Sequence, residues 1–402
     1  MSQYLGSDEG NTVIDGRENE ASSSTSFGQA SRKVDTFVHT PLLRHQDNTP
    51  IRLLQICNGS TEDDIRLAIH HTHDWTKGES HRTTYTCLSY RCGGDQATRR
   101  ISVDGKAKYV RENLYDFLAT WTRKDQDAKK RLWIDALCID QSNVAERNHQ
   151  VQKMGEIYKT ADEVIIWLGR YPAIDQNLRA VFSIREQPVP SDIESLLRIF
   201  DPDQAFHVAE EVLRIILWND YWNRAWITQE VYLARKKTLA MNDQTIPLET
   251  FFQRLDDYCI FAGKAYHQYS ACMEMKVEMS KPRASSLVCL LSHFRNKLCS
   301  VPRDRIFSLL SICADGDQFE VDYELPKEEL MYKVLRNSSE ILCFCTAATV
   351  AQNLNIDDPS QPTDVQPGFQ GYLLKDLLVR DLKWKRQRAL YMANDHIEYG
   401  NK

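Results

Sequence analysis

Two short stretches of this chain place ionisable side chains where a fold would favour hydrocarbon. The first is Arg131-Leu-Trp-Ile-Asp-Ala-Leu-Cys-Ile-Asp-Gln-Ser142, an apolar run interrupted by Asp135 and Asp140. A carboxylate taken out of water is costly unless it is paired or hydrogen-bonded. Each Asp therefore implies a built environment: backbone amides at a strand end for Asp135, a loop cap for Asp140, or the lining of a site. The second stretch is Tyr221-Trp-Asn-Arg-Ala-Trp-Ile-Thr-Gln-Glu-Val231, where aromatic side chains surround Arg224, Gln229 and Glu230. On a helix, Trp226 and Glu230 share a face at i, i+4, as do Arg224 and Thr228. The structural account of that pattern is a packed helix whose Glu230 pairs with an arginine, with Arg224 and Gln229 tying helix to sheet.

Two further features are weaker. Arg91-Cys-Gly-Gly-Asp95 is a Gly-bearing loop after a strand, where backbone N–H groups can approach an anion. It is neither a Walker loop nor a dinucleotide fingerprint. His70, His71, His73 and His81 gather around Trp75, but their spacing fits no metal-ligand pattern, so an exposed loop and no metal are expected.

The bulk composition narrows the classes. The chain has 402 residues, 42% hydrophobic and 26% charged, as expected of a soluble protein of two or three domains. A net charge of −6 and a pI near 6.0 give no basic field to attract nucleic acid or an anionic membrane. The 11 Cys include no Cys-x-x-Cys pair, and several sit in apolar runs, which points to reduced thiols inside a cell. No apolar stretch reaches the roughly 18 residues a membrane span needs, and no apolar signal core opens the chain. A cytoplasmic protein without a membrane span is expected.

The elements that must position the chemistry follow from pattern. Residues 1–30 are polar and Ser-rich and read as a disordered tail, and 31–84 as an extension with one strand, Ile51–Cys57. Thr84–Tyr90 reads as a strand, Ile101–Lys106 as a hairpin about Asp104-Gly105, and Leu114, Phe117, Leu118 and Trp121 as one helical stripe. The Arg131 stretch reads as a strand buried on both faces. The helix after it opens with Asn143 and Glu146 in a capping box, and Val164–Leu168 reads as a second buried strand. Strands alternating with helices predict an α/β fold with a parallel sheet. Ala205–Trp218 reads as an amphipathic helix and Thr238–Pro247 as a hairpin. The rest reads as mostly helical over 248–262, 284–299, 303–313 and 326–345, with a linker over 351–370 and a basic helix over 373–392.

Taken in order, certain motifs resemble a known family. They are Tyr85-Thr-Cys-Leu-Ser-Tyr-Arg-Cys-Gly93, Leu132-Trp-Ile-Asp-Ala-Leu-Cys-Ile-Asp-Gln141, Glu146-Arg147, Gln150–Met154, Ile157-Tyr158, Ala161, Trp167-Leu-Gly169 and Arg224-Ala-Trp-Ile-Thr-Gln-Glu230. Their order and spacing over residues 85–235 resemble the fungal heterokaryon incompatibility (HET) domain. Pro302-Arg-Asp-Arg-Ile-Phe-Ser-Leu-Leu310 and Val321-Asp-Tyr323 resemble the region that follows it, here 236–350, with 351–402 as linker and C-terminal helix. Two departures stand out. Cys92 occupies a position where the family usually has Trp, and the resemblance fades after about residue 346, which suggests a short or truncated member.

The resemblance implies a distant relation to the TIR fold, a flavodoxin-like parallel sheet with flanking helices, followed by a mostly helical region. It implies a role in fungal non-self recognition and programmed cell death, exercised through self-association into homo-oligomers and with an incompatibility partner protein. It also implies an alternative, cleavage of NAD at the nicotinamide–ribose bond, with NAD as substrate rather than cofactor. Trp226-Ile-Thr-Gln-Glu230 has the Trp-x-x-x-Glu spacing of TIR domains that do this, which makes Glu230 the catalytic carboxylate. Loss of a cationic nicotinamide needs no leaving-group protonation, only a carboxylate for the oxocarbenium-like centre or the ribose. Ligand-binding residues then fall at the ends of parallel strands and beside that helix: Ser89, Tyr90, Arg91, Asp140, Gln141 and Trp226. On this view Asp135 is a fold determinant.

Overall fold

In a computed structural model of the chain, the structure describes residues 35–42, 50–73, 75–76, 82–94, 96–124, 130–182, 202–262, 270–279, 285–338 and 344–356. The expected tail over 1–30, His81, Asp95 and the basic helix over 373–392 lie outside these.

The first half of the chain supplies most of a sheet. Strands β1 (Ile51–Ile56), β2 (Arg66–Thr72) and β3 (Thr86–Tyr90) are followed by a hairpin, β4 (Arg99–Val103) and β5 (Lys106–Val110). Asp104 and Gly105 both take positive φ, 49° and 77°, the pair a tight hairpin turn requires. Helix α1 (Glu112–Lys124) buries Leu114, Phe117 and Leu118 as its stripe demands. After it come β6 (Arg131–Trp133), a one-turn helix α2 (Asp135–Cys138), helix α3 (Val144–Thr160) and β7 (Glu163–Trp167). Four of the five β7 residues are buried, as befits a strand covered on both faces. Helices α4 (Asp175–Phe182), α5 (Pro202–Leu217) and α6 (Ile227–Leu233) precede the hairpin β8 (Lys237–Met241) and β9 (Gln244–Pro247). Helices α7 (Leu248–Ala262), α8 (Ala271–Met279), α9 (Leu287–His293), α10 (Asp304–Phe307), α11 (Lys327–Asn337) and α12 (Phe344–Leu354) complete the described chain.

The nine strands lie in the order β5-β4-β2-β1-β6-β3-β7-β8-β9. Its centre, β6-β3-β7-β8, is parallel, and β1 and β9 join that core antiparallel. The chain runs from β3 to β6 on one side and then crosses to β7 on the other. That is the flavodoxin-like order, and its switch point lies between the carboxyl ends of β3 and β7. The α/β architecture with a helical region behind it is thus as the sequence implied, with a parallel core inside a mixed sheet.

Several expectations change. The apolar run from Arg131 is strand for only three residues; Leu137 and Cys138 then turn back through N–H bonds to Ile134 O, which forms α2. Leu137, Cys138 and Ile139 stay buried, and a continuous apolar run looks the same for a strand and a buried turn. His70 and His71 sit on β2, paired antiparallel with β1, and Trp75 is buried rather than looped out. The alternation of Ile65, Leu67 and Ile69 carried that strand. No metal-holding cluster occurs among the described residues. The capping box is half formed: Asn143 accepts the Glu146 N–H at 3.1 Å, but the Glu146 carboxylate turns to other partners. Helix α7 matches its expected span of 248–262, whereas α9, α10 and α11 are shorter than expected, and α12 extends into the presumed linker, where Leu354 is fully buried.

One close approach locks the helical region to the sheet domain. A Cβ on Gly155 of α3 would collide with the Ser311 side chain and lie 3.1 Å from Leu233 Cδ1 on α6. Gly155→Ala is therefore expected to destabilise the protein by about 1–3 kcal/mol through overpacking, despite alanine's better helix propensity. Urea unfolding checks this; a midpoint at or above that of the parent would contradict it.

Candidate functional site

The switch point sits over a buried polar cluster. Ser89, at the end of β3, is 0% exposed, and Glu230 on α6 is 1% exposed. Ser89 Oγ donates to Glu230 Oε2 at 2.5 Å and, with its hydrogen so used, accepts from Tyr221 Oη at 2.6 Å. Arg224 Nη1 lies 3.5 Å from the same carboxylate oxygen. Asp135, at the start of α2, lies within reach of the Arg224 charge, and Tyr90 and Cys92 share its surroundings. Tyr158 of α3 closes the floor by donating to Leu88 O at 3.0 Å. The short α6 can present Glu230 inward because the chain before it, a 3-10 turn over Asp220–Asn223, buries Tyr221 and Trp222.

Burial governs the electrostatics. It holds Glu230 above the ordinary carboxylate range, although Arg224 and the Ser89 hydroxyl pull the other way. Asp135 is raised by the same cause against the same arginine. The phenol of Tyr221 is pushed far up by burial and by the Glu230 charge. The cluster is thus a hydrogen-bond relay, Tyr221 to Ser89 to Glu230, with one cation shared by two carboxylates. Beside it on α6, the Gln229 amide is 1% exposed, and among the described residues neither its nitrogen nor its oxygen has a hydrogen-bond partner.

The other candidate residues are placed elsewhere. Asp140 closes a tight loop by accepting from Ser142 N–H at 3.1 Å and Ser142 Oγ at 2.6 Å. Its own N–H donates to Glu146 Oε1 at 2.8 Å. Glu146 in turn holds Arg52 of β1 through both oxygens, at 2.5 and 2.9 Å. Arg52 is 1% exposed and also donates to Cys138 O and Thr40 O. This ion pair was missed from sequence; its signal was an arginine inside the apolar run Ile51–Ile56. Gln141 is exposed. Trp226 turns toward the helical region, where Asp304 accepts from its side chain and from Tyr323 Oη at 2.6 Å.

Arg91 is exposed and pairs with Asp220 at 2.8 Å. Asp220 stands on the rim of an open cleft of about 610 Å³ lined by Tyr171, Glu210, Leu213, Arg214, Trp218 and Tyr258, among others. Tyr171 follows β7, so this cleft opens where ligands of parallel sheets bind. Glu230 and Ser89 are not among its lining residues.

Comparison with known proteins bears on the same span. Residues 85–230 match the family model described as heterokaryon incompatibility protein (HET). The chain is 34% identical over 152 residues to heterokaryon incompatibility protein 6, OR allele, of Neurospora crassa. That match covers 35% of this chain and 21% of the relative, so only about a fifth of the relative's length is spanned. No solved structure matches the chain. The matched span starts beside β3 and ends on Glu230 itself, and so takes in three of the four parallel strands, β3, β6 and β7, and the buried cluster beneath them, while β8 follows it. Residues 85–230 thus form a heterokaryon incompatibility domain, carried on this chain within a larger α/β and helical fold.

Proposed function

We propose that the chain is an effector of fungal heterokaryon incompatibility, acting in the cytoplasm in non-self recognition and cell death through self-association of a TIR-like domain. The observation that carries the non-catalytic reading is the burial of Glu230. At 1% exposure, and bound by Ser89 and Arg224, its carboxylate offers no face to a solute. A helix so anchored behaves as a fold determinant, and the signal then resides in assembly.

A second reading, cleavage of NAD by Glu230, is favoured by one observation. Glu230 is a carboxylate raised by burial beside a hydroxyl relay, directly below a sheet switch point, and perturbed carboxylates gather at working sites. Under it Ser89 and Tyr90, the residues nearest the carboxylate, would hold the substrate, while Arg91, Asp140, Gln141 and Trp226 lie outside the buried cluster and would contact it only at its margins.

One experiment separates the two. The chain is expressed in fungal cells as wild type and as Glu230→Gln, with folding of each checked by circular dichroism. The purified proteins are then concentrated and incubated with NAD. The first reading expects cell death to survive the substitution, light scattering to report oligomers, and NAD to persist. Loss of toxicity together with loss of wild-type NAD turnover in a folded variant would replace it with the second.

A further inference from the structure

Residues 319–325 lie in neither helix nor strand, yet their backbone is held at regular intervals. Gln152 of α3 bonds it twice: its Oε1 accepts from Val321 N–H at 2.6 Å, and its Nε2 donates to Phe319 O at 3.2 Å. One turn earlier on α3, Asn148 Oδ1 accepts from Tyr323 N–H at 3.1 Å. Arg303 holds the far end by donating to Leu325 O at 2.6 and 2.9 Å. Two side-chain amides at i and i+4 thus take alternate residues of the segment by their main chain, the way a strand-like peptide ligand is gripped. Phe319 and Val321 are buried beneath it. The segment is a strap laid across α3.

One carboxylate carries the strap's position to α6. Tyr323 Oη donates to Asp304 Oδ1 at 2.6 Å, and the Trp226 side chain donates to the same carboxylate. Trp226 is the residue on which α6 begins. The Arg147 guanidinium lies 4.1 Å from the centre of the Tyr323 ring and Phe307 meets that ring edge-on at 5.2 Å, which fixes the direction of the phenol. Helix α6 needs a hold of this kind. It has seven residues and no side-chain cap, too few to be stable alone. It buries Thr228, Gln229 and Glu230 in succession, and the unbonded Gln229 amide opposes the seated position. The grip on the strap is at the surface instead: Gln152 is exposed and Asn148 half-buried, so water can replace their bonds at small cost.

We propose that residues 319–325 are a releasable strap that keeps α6 seated through the chain Tyr323–Asp304–Trp226, and that lifting the strap from Asn148 and Gln152 lets α6 move and uncovers the Ser89–Glu230 cluster. The device gives the sequence motifs Pro302–Leu310 and Val321–Tyr323 one shared task. It stands apart from the choice between the two functional readings. A freed α6 presents Glu230 to a solute, or its buried apolar residues Ile227 and Val231 to a second copy of the chain.

The test is amide hydrogen exchange on the full chain, read by mass spectrometry. With Asn148→Ala and Gln152→Ala together, the amides of residues 227–233 are expected to exchange about tenfold faster than in the parent, while those of β3 keep the parent's rate. Unchanged exchange over 227–233 would overturn the proposal. So would equal acceleration in β3, which marks a general loss of stability. Tyr323→Phe keeps the ring and its packing and is expected to give the same selective acceleration, so the result does not hang on the double variant folding. The route is tested by adding Trp226→Phe to Tyr323→Phe. Both cut the same chain at Asp304, so the pair is expected to add nothing to the larger single effect on 227–233, and full additivity would overturn the route.

Discussion

Replacing Arg52 with methionine is expected to destabilise the protein by about 3–5 kcal/mol, the largest single effect foreseen outside the candidate site. Arg52 is 1% exposed, and four of its hydrogen bonds end on Glu146, Cys138 O and Thr40 O. Removing it strands a buried carboxylate and two carbonyls at once. The network crosses elements, since β1, the end of α2 and the first turn of α3 all meet on this guanidinium. Loss is therefore expected to shift the whole unfolding transition rather than fray one edge. Chemical denaturation of the variant checks the magnitude. Arg52→Met with Glu146→Gln should recover part of the loss, because the stranded charge is gone. A single variant within about 1 kcal/mol of wild type would mean that water replaces the pair without cost.

The second large effect concerns Glu230, where alanine and glutamine are expected to part company. Glu230→Ala removes the acceptor of Ser89, the counter-charge of Arg224 and the volume between them. It should cost about 3–5 kcal/mol. Glu230→Gln keeps the volume and an acceptor oxygen and should cost about 1–2 kcal/mol. The pH dependence has a definite sign. Burial raises the folded-state pKa of Glu230, so the folded protein keeps this proton longer than the unfolded chain does. Its contribution is most favourable below the ordinary glutamate value of about 4.3 and declines as pH rises through the raised folded value. Glutamine cannot ionise, so the stability gap between wild type and Glu230→Gln should narrow as pH rises through that window. A gap that widened with pH would show that Arg224 dominates and that the carboxylate is held down, not up. The comparison also explains why glutamine is the proper probe of function: an alanine variant loses activity by unfolding as readily as by chemistry.

What the sequence revealed and what it hid divide along a physical line. The strand around Ile165 was legible because a parallel core writes itself as continuous apolar sequence, and the one around Leu88 because tyrosine and threonine favour extended backbone. The turns at Asp104-Gly105 and Asn242 were legible because left-handed backbone selects those residues. The second strand was hidden because polar His70 and His71 read as an exposed loop and masked the alternation they sit in. The partners of the buried charges were out of reach. Ser89 and Glu230 are 141 residues apart, and Arg52 and Glu146 are 94 apart. No local pattern encodes which arginine answers which carboxylate. Asp135 and Asp140 illustrate the cost. The sequence favoured Asp140 as a site residue and Asp135 as structure, whereas the fold sets Asp135 beside Arg224 and gives Asp140 a loop to close.

The position of β1 between β2 and β6 has a consequence for how this module can be inherited. The family span begins only at residue 85, after β1 has already been made. Yet β1 pairs with β6, and one apolar core joins Leu54 and Trp133 to Leu287, Val334 and Val350 of the helices beyond the span. A gene segment cut at the family's limits would lose both β1 and β8 and yield a sheet with β6 and β7 as bare edges, inviting strand-to-strand aggregation. The unit that evolution recognises is smaller than the unit that folds. Shuffling the recognisable part into a new protein therefore requires that the host supply a replacement for β1, for β8 and for the helices that roof α3 and α6.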